Sequence, residues 1–512
     1  MDIKPIAIHL PQFHRVKEND EWWGEGFTEW TAVKQSEPLF EGHNQPRVPL
    51  DNNYYDMLSK DTLVMQAKMA KEYGIYGFCF YHYYFENGRK ILEKPVENLL
   101  EWKEIDINYC FCWANESWAR TWSNIADSNV WSEKYEILNS NNSGILLKQT
   151  YGEKTDWKKH FDYLLPFFKD SRYIKVNNKP MFVFYKTDLI DCINEMLKCW
   201  DEWAKKEGFD GIYSVDTNPI IKSNTSATLW KGYDAFANLQ YLGEKAEEHY
   251  EKGKRYFLYE EVWNNAIRAF GDESRINYYG AFVDFDDSPR RGYNGTFLKG
   301  ANVETFEKYA YMLGVKNCLE GNEFYFINAW NEWGEGNYLE PDIKNGYGYL
   351  EAVRRIVNKL NGGNINFYEE WYKITRIRKF NEKKYLPDYN YKKYKELFYL
   401  LNRWMTVKEK NINLDTYFKA KGYTEVMIYG MGPIGIHIAE ELRGSNVNIV
   451  CGMDQRKVDY ASIEVIESCN DIPRCDAIIL SVVTNRREIS KALSKRTDIP
   501  IISIVDIIYE IY

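Results

Sequence analysis

The chain has 512 residues and a formal net charge of −9 at pH 7, so it can bury a large core and form about two to four domains of ordinary size. The acidic balance argues against nucleic acid or an anionic membrane as a partner, because both require a cationic surface. No apolar run reaches the ~20 residues that span a bilayer, and the N-terminus lacks the layout of a secretion signal, so we expect a cytoplasmic protein.

Aromatic residues make up 16% of the chain, with 17 Trp and 41 Tyr. A pyranose ring presents an apolar C–H face that stacks on indole and phenol rings. The aromatic content therefore predicts carbohydrate binding, with packing in the core as the alternative use of these rings.

Before Leu360, eight short apolar runs alternate with longer stretches of helical period, which predicts a parallel sheet built from βα units. Eight such units in somewhat more than ~250 residues predict an α/β fold of the (β/α)8 barrel type. In chain order, the runs are PIAIHL from Pro5, YGIYGFCFY from Tyr73, NYCFCW from Asn108, MFVFY from Met181, GIYSV from Gly211, YDAFA from Tyr233, GAFVDF from Gly280 and EFYFINAW from Glu323.

The chemistry of such barrels lies at the carboxyl ends of the strands, so the polar residues after each run are candidates. These are His9, Gln12, His14, His82, Tyr83, Asn115, Glu116, Asp284, Arg290, Glu332 and Glu335. The three histidines also raise the question of a metal site. We predict none, because imidazoles after neighbouring strands more often form hydrogen bonds and the chemistry proposed below needs no metal.

Gly362 and Gly363 end the barrel pattern, so residues 1–362 form the predicted catalytic domain. Residues 363–423 have a helical period and predict a helical connector that packs on the barrel, with a membrane surface or an acidic polysaccharide as the alternative contact. Residues 424–512 alternate short strands with helices, which predicts a small Rossmann-like doubly wound domain.

A glycine-rich turn opens this last domain. Residues 430–435 read GMGPIG, which fits GxGxxG between a strand and a helix, and Asp454 ends the next strand. In nucleotide-binding domains the turn approaches a pyrophosphate and the acidic residue binds a ribose. The candidates for binding a nucleotide or nucleotide sugar are therefore Gly430, Gly432, Gly435 and Asp454, with a domain that binds nothing as the alternative. The barrel chemistry requires no cofactor.

The strongest chemical signal is INAWNEWGEGNYLEP, in which Glu332 and Glu335 follow a buried strand. Side chains three apart on a strand point to opposite faces, but in a turn they converge. Two carboxylates about 5 to 5.5 Å apart across a scissile bond are what a retaining glycosidic reaction requires. The pKa values of the pair then have to split, with the acid kept protonated by its partner's charge and by apolar neighbours such as Trp330 and Trp333.

A purely structural use of the two acids is the alternative. They would then cap the following helix or form ion pairs with Arg290 or Arg291, and spacing alone does not choose between the two interpretations.

Tryptophan and polar side chains cluster around the predicted mouth of the barrel, where rings and carboxylates bind sugar hydroxyls. Packing within the protein is the alternative for each of them. The predicted substrate-binding residues are His9, Gln12, His14, Trp22, Trp23, Glu25, Glu29, Trp30, His82, Tyr83, Trp113, Asn115, Glu116, Trp118, Trp330, Asn331 and Trp333.

Five motifs, in order, resemble a known family. HLPQFH (9–14), WWGEGFTEW (22–30), YHYYF (81–85), CWANESW (112–118) and INAWNEWGEG (327–336) together look like the WbsX-type family, named as glycosyltransferases of bacterial surface-polysaccharide clusters. The same motifs are similar to glycoside hydrolase family 99, the endo-α-mannosidase and endo-α-mannanase barrels.

The resemblance implies a retaining mechanism at an α-linked sugar. Glu332 would take a proton from the sugar's 2-hydroxyl, whose oxygen attacks the anomeric carbon, and Glu335 would protonate the departing oxygen and later activate the acceptor. The hydrolases often place His at the position of Gly334, so their mannose preference is not carried over.

The lack of an export signal and the nucleotide-type fold of the last domain favour a transferase, which the resemblance implies would make or remodel a bacterial surface polysaccharide of the O-antigen or capsule type. Its partner would be a glycan substrate or acceptor, either free or lipid-linked. The expected location is the cytoplasm, with a peripheral position at the inner membrane as the variant. An endo-acting α-glycoside hydrolase is the alternative, and a catalytically inactive glycan-binding protein is a third possibility.

Overall fold

The computed structural model describes residues 2–119, 145–217, 223–231, 247–251, 253–268, 275–363, 365–367, 370–371, 389–454, 463–468, 471–482 and 486–511. Contacts divide the chain into two units, Met1–Phe380 and Asn381–Tyr512. Among the described residues, no helix has the length and apolar character that crossing a bilayer requires.

The first unit is a closed barrel of eight parallel strands, as the sequence predicts. All neighbouring strands are parallel, and the ring closes because the first strand pairs with both the second and the eighth. The strands are β1 (Lys4–His9), β2 (Gly77–Tyr84), β3 (Asn108–Trp113), β4 (Lys179–Phe184), β5 (Tyr213–Asp216), β6 (Ala227–Lys231), β7 (Ile276–Phe282) and β8 (Phe324–Asn328).

The sixth strand differs from the prediction. The run that begins at Tyr233 lies outside the described residues, and the place between β5 and β7 is taken by Ala227–Lys231. This strand reads ATLWK, and its Thr228 and Lys231 are buried although they are polar. A search for continuous apolar residues therefore passes over it.

Among the described residues, helices lie between most of the successive strands of this unit. In the sixth one, the buried residues Ile193, Met196, Leu197, Trp200 and Ala204 recur at intervals of three or four, which places them on one face of the helix. The helices are α1 (Lys17–Trp23), α2 (Glu29–Gln35), α3 (Lys60–Glu72), α4 (Lys94–Glu101), α5 (Lys154–Lys169), α6 (Ile193–Lys206), α7 (Tyr259–Arg268), α8 (Ser288–Arg291), α9 (Val303–Leu319) and α10 (Gly348–Asn361).

Short strands extend the barrel at its ends. Lys90–Ile91 pairs with β2, Lys175–Val176 pairs with β4, and Trp118–Ala119 pairs with Ile145–Leu147. A small separate sheet joins His249–Glu251, Lys254–Leu258 and Phe297–Lys299.

Many of the aromatic residues lie in the barrel core. Trp200, Trp263, Trp330 and Trp333 are among the largest fully buried side chains. Core packing therefore accounts for much of the aromatic content, and the sugar-binding signal rests on the rings that line the cleft described below.

The second unit contains a parallel sheet of five strands, β9 (Glu425–Tyr429), β10 (Asn448–Asp454), β11 (Val465–Glu467), β12 (Ala477–Leu480) and β13 (Ile501–Ser503). Their spatial order is β11, β10, β9, β12, β13, so the first strand lies in the middle. The helices are α11 (Tyr389–Glu409), α12 (Asp415–Lys421), α13 (Pro433–Leu442), α14 (Arg486–Leu493) and α15 (Ile504–Glu510).

Helices α11 and α12 come from the predicted connector. Their residues Leu400, Trp404 and Phe418 share one apolar cluster with Val426 and Ile428 of β9. These side chains therefore pack on the second unit's own sheet, whereas the sequence predicts packing on the barrel.

Candidate active site

The chain that leaves β8 forms a tight hairpin. Asn331–Glu332 pairs antiparallel with Asn337–Tyr338, and a single 3-10 turn, Trp333–Glu335, joins them. Gly336 ends the turn with a φ of 60°, a left-handed conformation that favours glycine. Glu332 ends a strand and Glu335 ends the turn, and both side chains contact Arg290.

The hairpin is anchored to the chain that follows β1. The Asn331 side chain accepts a hydrogen bond from the Leu10 amide at 2.8 Å and donates one to the Leu10 carbonyl at 3.0 Å. The backbone amide of Trp330 donates to the Ile8 carbonyl at 2.7 Å. These contacts fix the backbone on one side of Glu332.

A buried carboxylate anchors the other side. Glu340 accepts hydrogen bonds from the Trp333 indole at 2.7 Å, the Tyr55 hydroxyl at 2.8 Å and the Gln66 amide at 2.8 Å. Burial raises the pKa of Glu340 to about 7. Through Trp333, this carboxylate holds the turn between the two acids.

One guanidinium meets three carboxylates at the centre of the site. Arg290, on α8, donates from Nη2 to Glu332 at 2.9 Å, from Nη1 to Glu335 at 2.6 Å and from Nε to Glu29 at 2.8 Å. Each carboxylate uses one oxygen for this contact. Pairing of the acids with Arg290, the structural alternative in the sequence, is therefore present.

The electrostatics of the site favour one retained proton. Burial and the charge of Glu335 raise the pKa of Glu332 to about 8, against the opposing effect of Arg290. Glu332 therefore keeps its proton to a higher pH than an exposed carboxyl does. The sequence expects the proton on Glu335, whereas the raised pKa belongs to Glu332, which is the more buried of the two acids.

A cleft of about 370 Å³ opens over these groups. Aromatic rings line it together with the acids and Arg290. The lining residues are Leu10, Gln12, Trp23, Phe27, Glu29, Ala32, Tyr81, Tyr83, Ala114, Glu116, Trp118, Tyr185, Lys186, Arg290, Arg291, Glu332 and Glu335.

Nine of the predicted site residues line this cleft. They are Gln12, Trp23, Glu29, Tyr83, Glu116, Trp118, Arg290, Glu332 and Glu335. Burial and the charge of Glu332 raise the pKa of the Tyr83 hydroxyl. Trp118 and Tyr83 meet edge to face, with ring centroids 5.4 Å apart, so the cleft has an aromatic wall beside its carboxylates.

The three predicted histidines lie outside the cleft. His9 Nε2 is 3.1 Å from Gln66 Oε1, His14 Nδ1 is 2.9 Å from the Pro11 carbonyl, and His82 Nε2 is 2.8 Å from His160 Nε2. Burial lowers the pKa of His9 and of His82 to about 3. All three are buried, neutral side chains that pack within the barrel.

Five predicted tryptophans also lie outside the cleft lining. Trp22 packs on Trp118 at 5.3 Å, Trp330 packs on Phe78 at 4.9 Å, and Trp333 stacks on Tyr338 at 3.7 Å between centroids. The indoles of Trp30 and Trp113 donate to the carbonyls of Tyr55 and Tyr84. Of these partners only Trp118 lines the cleft, so four of the five tryptophans serve packing within the barrel.

The remaining predicted residues have other positions. The side chain of Asn115 bonds both backbone groups of Lys186, so it joins the chain after β3 to the chain after β4. Asn331 anchors the hairpin. Glu25 has an exposed side chain, 3.6 Å from Arg15.

Asp284, a candidate from the seventh strand, lies behind the hairpin. It accepts from Arg47 at 2.9 Å, and Arg47 also donates to the Gly336 carbonyl at 2.9 Å. The backbone amide of Asp286 donates to the Glu335 carbonyl at 2.6 Å. These contacts hold the backbone carbonyl groups of Glu335 and Gly336 in place.

Sequence reasoning missed Phe27, Tyr81, Tyr185, Lys186 and Arg291 in the lining. Tyr185 and Lys186 directly follow β4, so reading the residues after every strand finds them. Lys186 pairs with Glu116 at 2.8 Å. Among the described residues, no three His, Cys, Asp or Glu side chains are grouped to hold a metal ion.

The glycine turn of the second unit has its own contacts. Gly432 is the N-cap of α13, and a Cβ on it would meet no atom within 4 Å. Asp454 Oδ2 accepts a hydrogen bond from the Met431 amide at 2.7 Å. One carboxylate oxygen of Asp454, the residue predicted to bind the ribose, is therefore already bonded within the turn.

The fold and the cleft define a parallel α/β barrel whose site, at the carboxyl ends of its strands, combines carboxylates with aromatic rings. The family described as Glycosyltransferase WbsX matches residues 5–353, and the chain belongs to that family. The resemblance drawn from the five motifs is thereby confirmed. Family and fold indicate a carbohydrate-active enzyme.

The curated relatives include the uncharacterized protein WxcX from two strains of Xanthomonas campestris pv. campestris. Each is 28% identical over 379 residues, covering 69% of this chain and 49% of the relative. The chain thus spans about half the length of these relatives.

Solved structures with a similar chain path include two of the GH99 endo-alpha-mannosidase from Bacteroides thetaiotaomicron. They have TM-scores of 0.41 and 0.45 at 11% identity, covering 71% of this chain and 98% of theirs. A glycoside hydrolase-like protein has a TM-score of 0.43 at 10% identity, covering 70% and 94%. These similarities are too low to transfer an activity.

Proposed function

We propose that the protein is a retaining glycosyltransferase that makes or remodels an α-glycosidic bond in a bacterial surface polysaccharide of the O-antigen or capsule type. The observation that carries the proposal is the convergence of Glu332 and Glu335 on one guanidinium at the floor of an aromatic-lined cleft.

The proposed reaction has two balanced steps. Glu332 accepts the proton of the sugar's 2-hydroxyl, that oxygen attacks the anomeric carbon, and the bond to the leaving oxygen breaks as Glu335 gives that oxygen its proton. In the second step the acceptor hydroxyl gives its proton to Glu335 and attacks the anomeric carbon. The bond to the 2-oxygen breaks, and that oxygen recovers the proton from Glu332.

The number of protons that the two acids hold at neutral pH supports this chemistry. The reaction needs one proton on the two acids together, and the raised pKa of Glu332 retains one at neutral pH. Interacting acids titrate as a pair, so the reactive form is the one in which that proton lies on Glu335.

A purely structural ion pair explains less of the site. One guanidinium balances one carboxylate, whereas Arg290 meets three. Each acid has a second oxygen for which no hydrogen-bond partner is found among the described residues, and all three line the cleft. Isolated ion pairs do not require an open cleft above them.

Binding of the glycan is proposed to use the aromatic walls and the polar groups at the rim. Trp23, Tyr83 and Trp118 offer ring faces and edges, and Gln12 and the Glu116–Lys186 pair offer hydrogen bonds to sugar hydroxyls. The acceptor is a glycan, free or lipid-linked. No cofactor takes part in the two steps.

The second unit is proposed to be a Rossmann-like domain over residues 424–512, preceded by a helical connector over 363–423 and a catalytic barrel over 1–362. The strand order with β9 in the middle and the Gly430–Gly435 turn support a nucleotide-sugar ligand. The engaged oxygen of Asp454 argues against it. The cytoplasm, or the surface of the inner membrane, is the proposed location.

An endo-acting α-glycoside hydrolase is the second candidate. It would use the same residues and the same first step, with water in place of the sugar acceptor. A catalytically inactive glycan-binding protein fits less well, because both acids are present and line the cleft.

The deciding experiment compares donors. The protein is incubated with a panel of nucleotide sugars plus glycan acceptors, and in parallel with α-mannan and related oligosaccharides alone. Nucleotide release with chain growth supports the transferase. Fragments formed without any nucleotide sugar support the hydrolase, and binding without turnover in either arm leaves the inactive protein.

A further inference from the structure

Gly334 lies between the two acids, and the space over its Cα is already occupied. A Cβ at this position would lie 1.7 Å from Glu29 Oε1 and 2.7 Å from Arg290 Nε. Gly334 is not among the glycines with a positive φ. The glycine is therefore required by the space it leaves for neighbouring side chains and not by its backbone conformation.

Glu29 fills that space in a fixed position. It is the first residue of α2, and its backbone amide donates to the Gln12 carbonyl at 3.0 Å. Its side chain is only 3% exposed and contacts both Nε and Nη2 of Arg290, at 2.8 and 2.7 Å. Glu29 therefore fixes one edge of the guanidinium, and this directs the remaining N–H groups of Arg290 toward Glu332 and Glu335.

We propose that Gly334 makes room for the Glu29 carboxylate, and that Glu29 is a positioning residue which, through Arg290, orients the Glu332–Glu335 pair and sets how tightly the pair holds its proton. The packing follows from the contacts, while the part in turnover rests on the proposed function.

The direction of the charge effect follows from the groups that face Glu332. These are Glu335 on its own turn, Arg290 from α8, Glu29 from α2 and the hydroxyls of Tyr81 and Tyr83 from β2. The negative charge of Glu29 makes loss of the last proton harder, and the positive charge of Arg290 makes it easier. Neutralising Glu29 should therefore move that loss to lower pH, and neutralising Arg290 should move it to higher pH.

The first test needs no substrate. The thermal midpoint is measured for Gly334→Ala in the wild-type and Glu29→Ala backgrounds. We expect a clear loss in the first background and a smaller one in the second, because the clash with the carboxylate is then absent and only the contact with Arg290 Nε remains. Equal losses in both backgrounds would overturn the packing claim.

The second test, also without substrate, follows proton linkage. A carboxyl whose folded pKa is raised binds its proton on folding, so stability falls as pH rises toward the folded pKa. Urea midpoints from about pH 6 to 9, each compared with Glu332→Gln, report this fall. We expect Glu29→Gln to lower, by about one unit, the pH at which the decrease in stability stops. Glu37 is an exposed carboxylate just beyond α2, and Glu37→Gln should leave that pH unchanged. If stability stops decreasing at the same pH in Glu29→Gln as in the wild-type protein, Glu29 does not affect how tightly the pair holds its proton.

The third test uses whichever sugar substrate the donor comparison identifies. Glu29→Gln should lower kcat/KM on the order of 10- to 100-fold through misplacement of the pair, and should move the alkaline limb of the pH profile down. Arg290→Gln should move that limb up, and Arg290→Lys should restore it in part. Absence of turnover in the wild-type protein would count against the proposed function alone, because the first two tests do not depend on it.

Discussion

Glu332 and Glu335 lie three residues apart but differ in their surroundings. Glu332 is buried beside Tyr81 and Tyr83, whereas Glu335 is about a quarter exposed at the cleft. Exposure suits the residue that must meet the leaving oxygen and then the acceptor. Burial suits the residue that contacts only the 2-hydroxyl.

The acid role of Glu335 gives a first prediction. Glu335→Gln should leave folding and glycan binding intact and lower turnover by about 10²- to 10⁴-fold, because the leaving oxygen departs without a proton. A substrate with an activated leaving group should recover most of the first step. Glu332→Gln should stay slow even on that substrate, since base assistance is lost. A near-normal rate for Glu335→Gln on an unactivated substrate contradicts the assignment.

The proton of the pair gives a second prediction, about pH. Burial and the charge of Glu335 place the pKa of Glu332 at about 8, so Glu332 loses its proton as pH rises through that value. The rate should therefore fall as pH rises through about 8, by about tenfold per unit well above it. A kcat/KM profile that stays level to pH 10 would exclude the shared proton.

Alternation along β2 explains why adjacent residues have different positions. Tyr81 and Tyr83 line the cleft, while His82 between them points the other way and contacts His160 of α5. Successive side chains of a strand face opposite sides. A prediction that places both His82 and Tyr83 in one site therefore cannot hold for both.

The hairpin after β8 depends on Glu340, which gives a prediction about an element. Glu340→Ala should leave the donors of Tyr55, Gln66 and Trp333 unpaired, at about 1–3 kcal/mol for each that stays buried. The urea midpoint of the barrel should drop and turnover should fall with it. Glu72→Ala, an exposed carboxylate at the end of α3, is the matched control, and equal stability of the two variants would rule out the anchoring role.

The glycine turn before α13 gives a further prediction about an element. A Cβ on Gly435 would lie 2.1 Å from the Gly430 carbonyl oxygen, whereas one on Gly432 meets nothing within 4 Å. Gly435→Ala should therefore destabilise the second unit by about 1–3 kcal/mol, and Gly432→Ala should cost less. Hydrogen exchange of the β9 amides measures both, and the opposite ranking would contradict the turn geometry.

At the scale of the whole molecule, the residues proposed to react all belong to Met1–Phe380. A fragment of these residues should keep the turnover of the full chain on a glycan donor, and Asn381–Tyr512 should have none. Circular dichroism of the fragment establishes that it is folded. A folded but inactive fragment would mean that the second unit takes part in the chemistry.

Sequence reasoning found the barrel and the acid pair because both are local signals. Apolar runs reveal buried strands, and Glu332 and Glu335 are three residues apart. The sixth strand was misplaced because buried Thr228 and Lys231 interrupt its apolar pattern. The histidines lie outside the cleft lining because each is bonded within the protein, to Gln66, to the Pro11 carbonyl and to His160, and these contacts are not visible in the sequence.

The charge arrangement could not be predicted because it is non-local. Arg290 is 261 residues from Glu29 and 42 from Glu332. No periodicity links these positions, and their meeting depends on how α2 and α8 lie across the end of the barrel. For the same reason, the spatial requirement at Gly334 is visible only in three dimensions.

The closure of the barrel at β1 has a consequence for synthesis on the ribosome. β1 pairs with β8, and Leu10 binds Asn331, 321 residues later in the chain. β1 is synthesised long before β8, so the edge of β1 that pairs with β8 stays uncovered until β8 has been made. A chain released before β8 and the hairpin are made would have an unpaired strand edge on β1 and would lack Glu332 and Glu335. It would therefore be prone to aggregate through that edge.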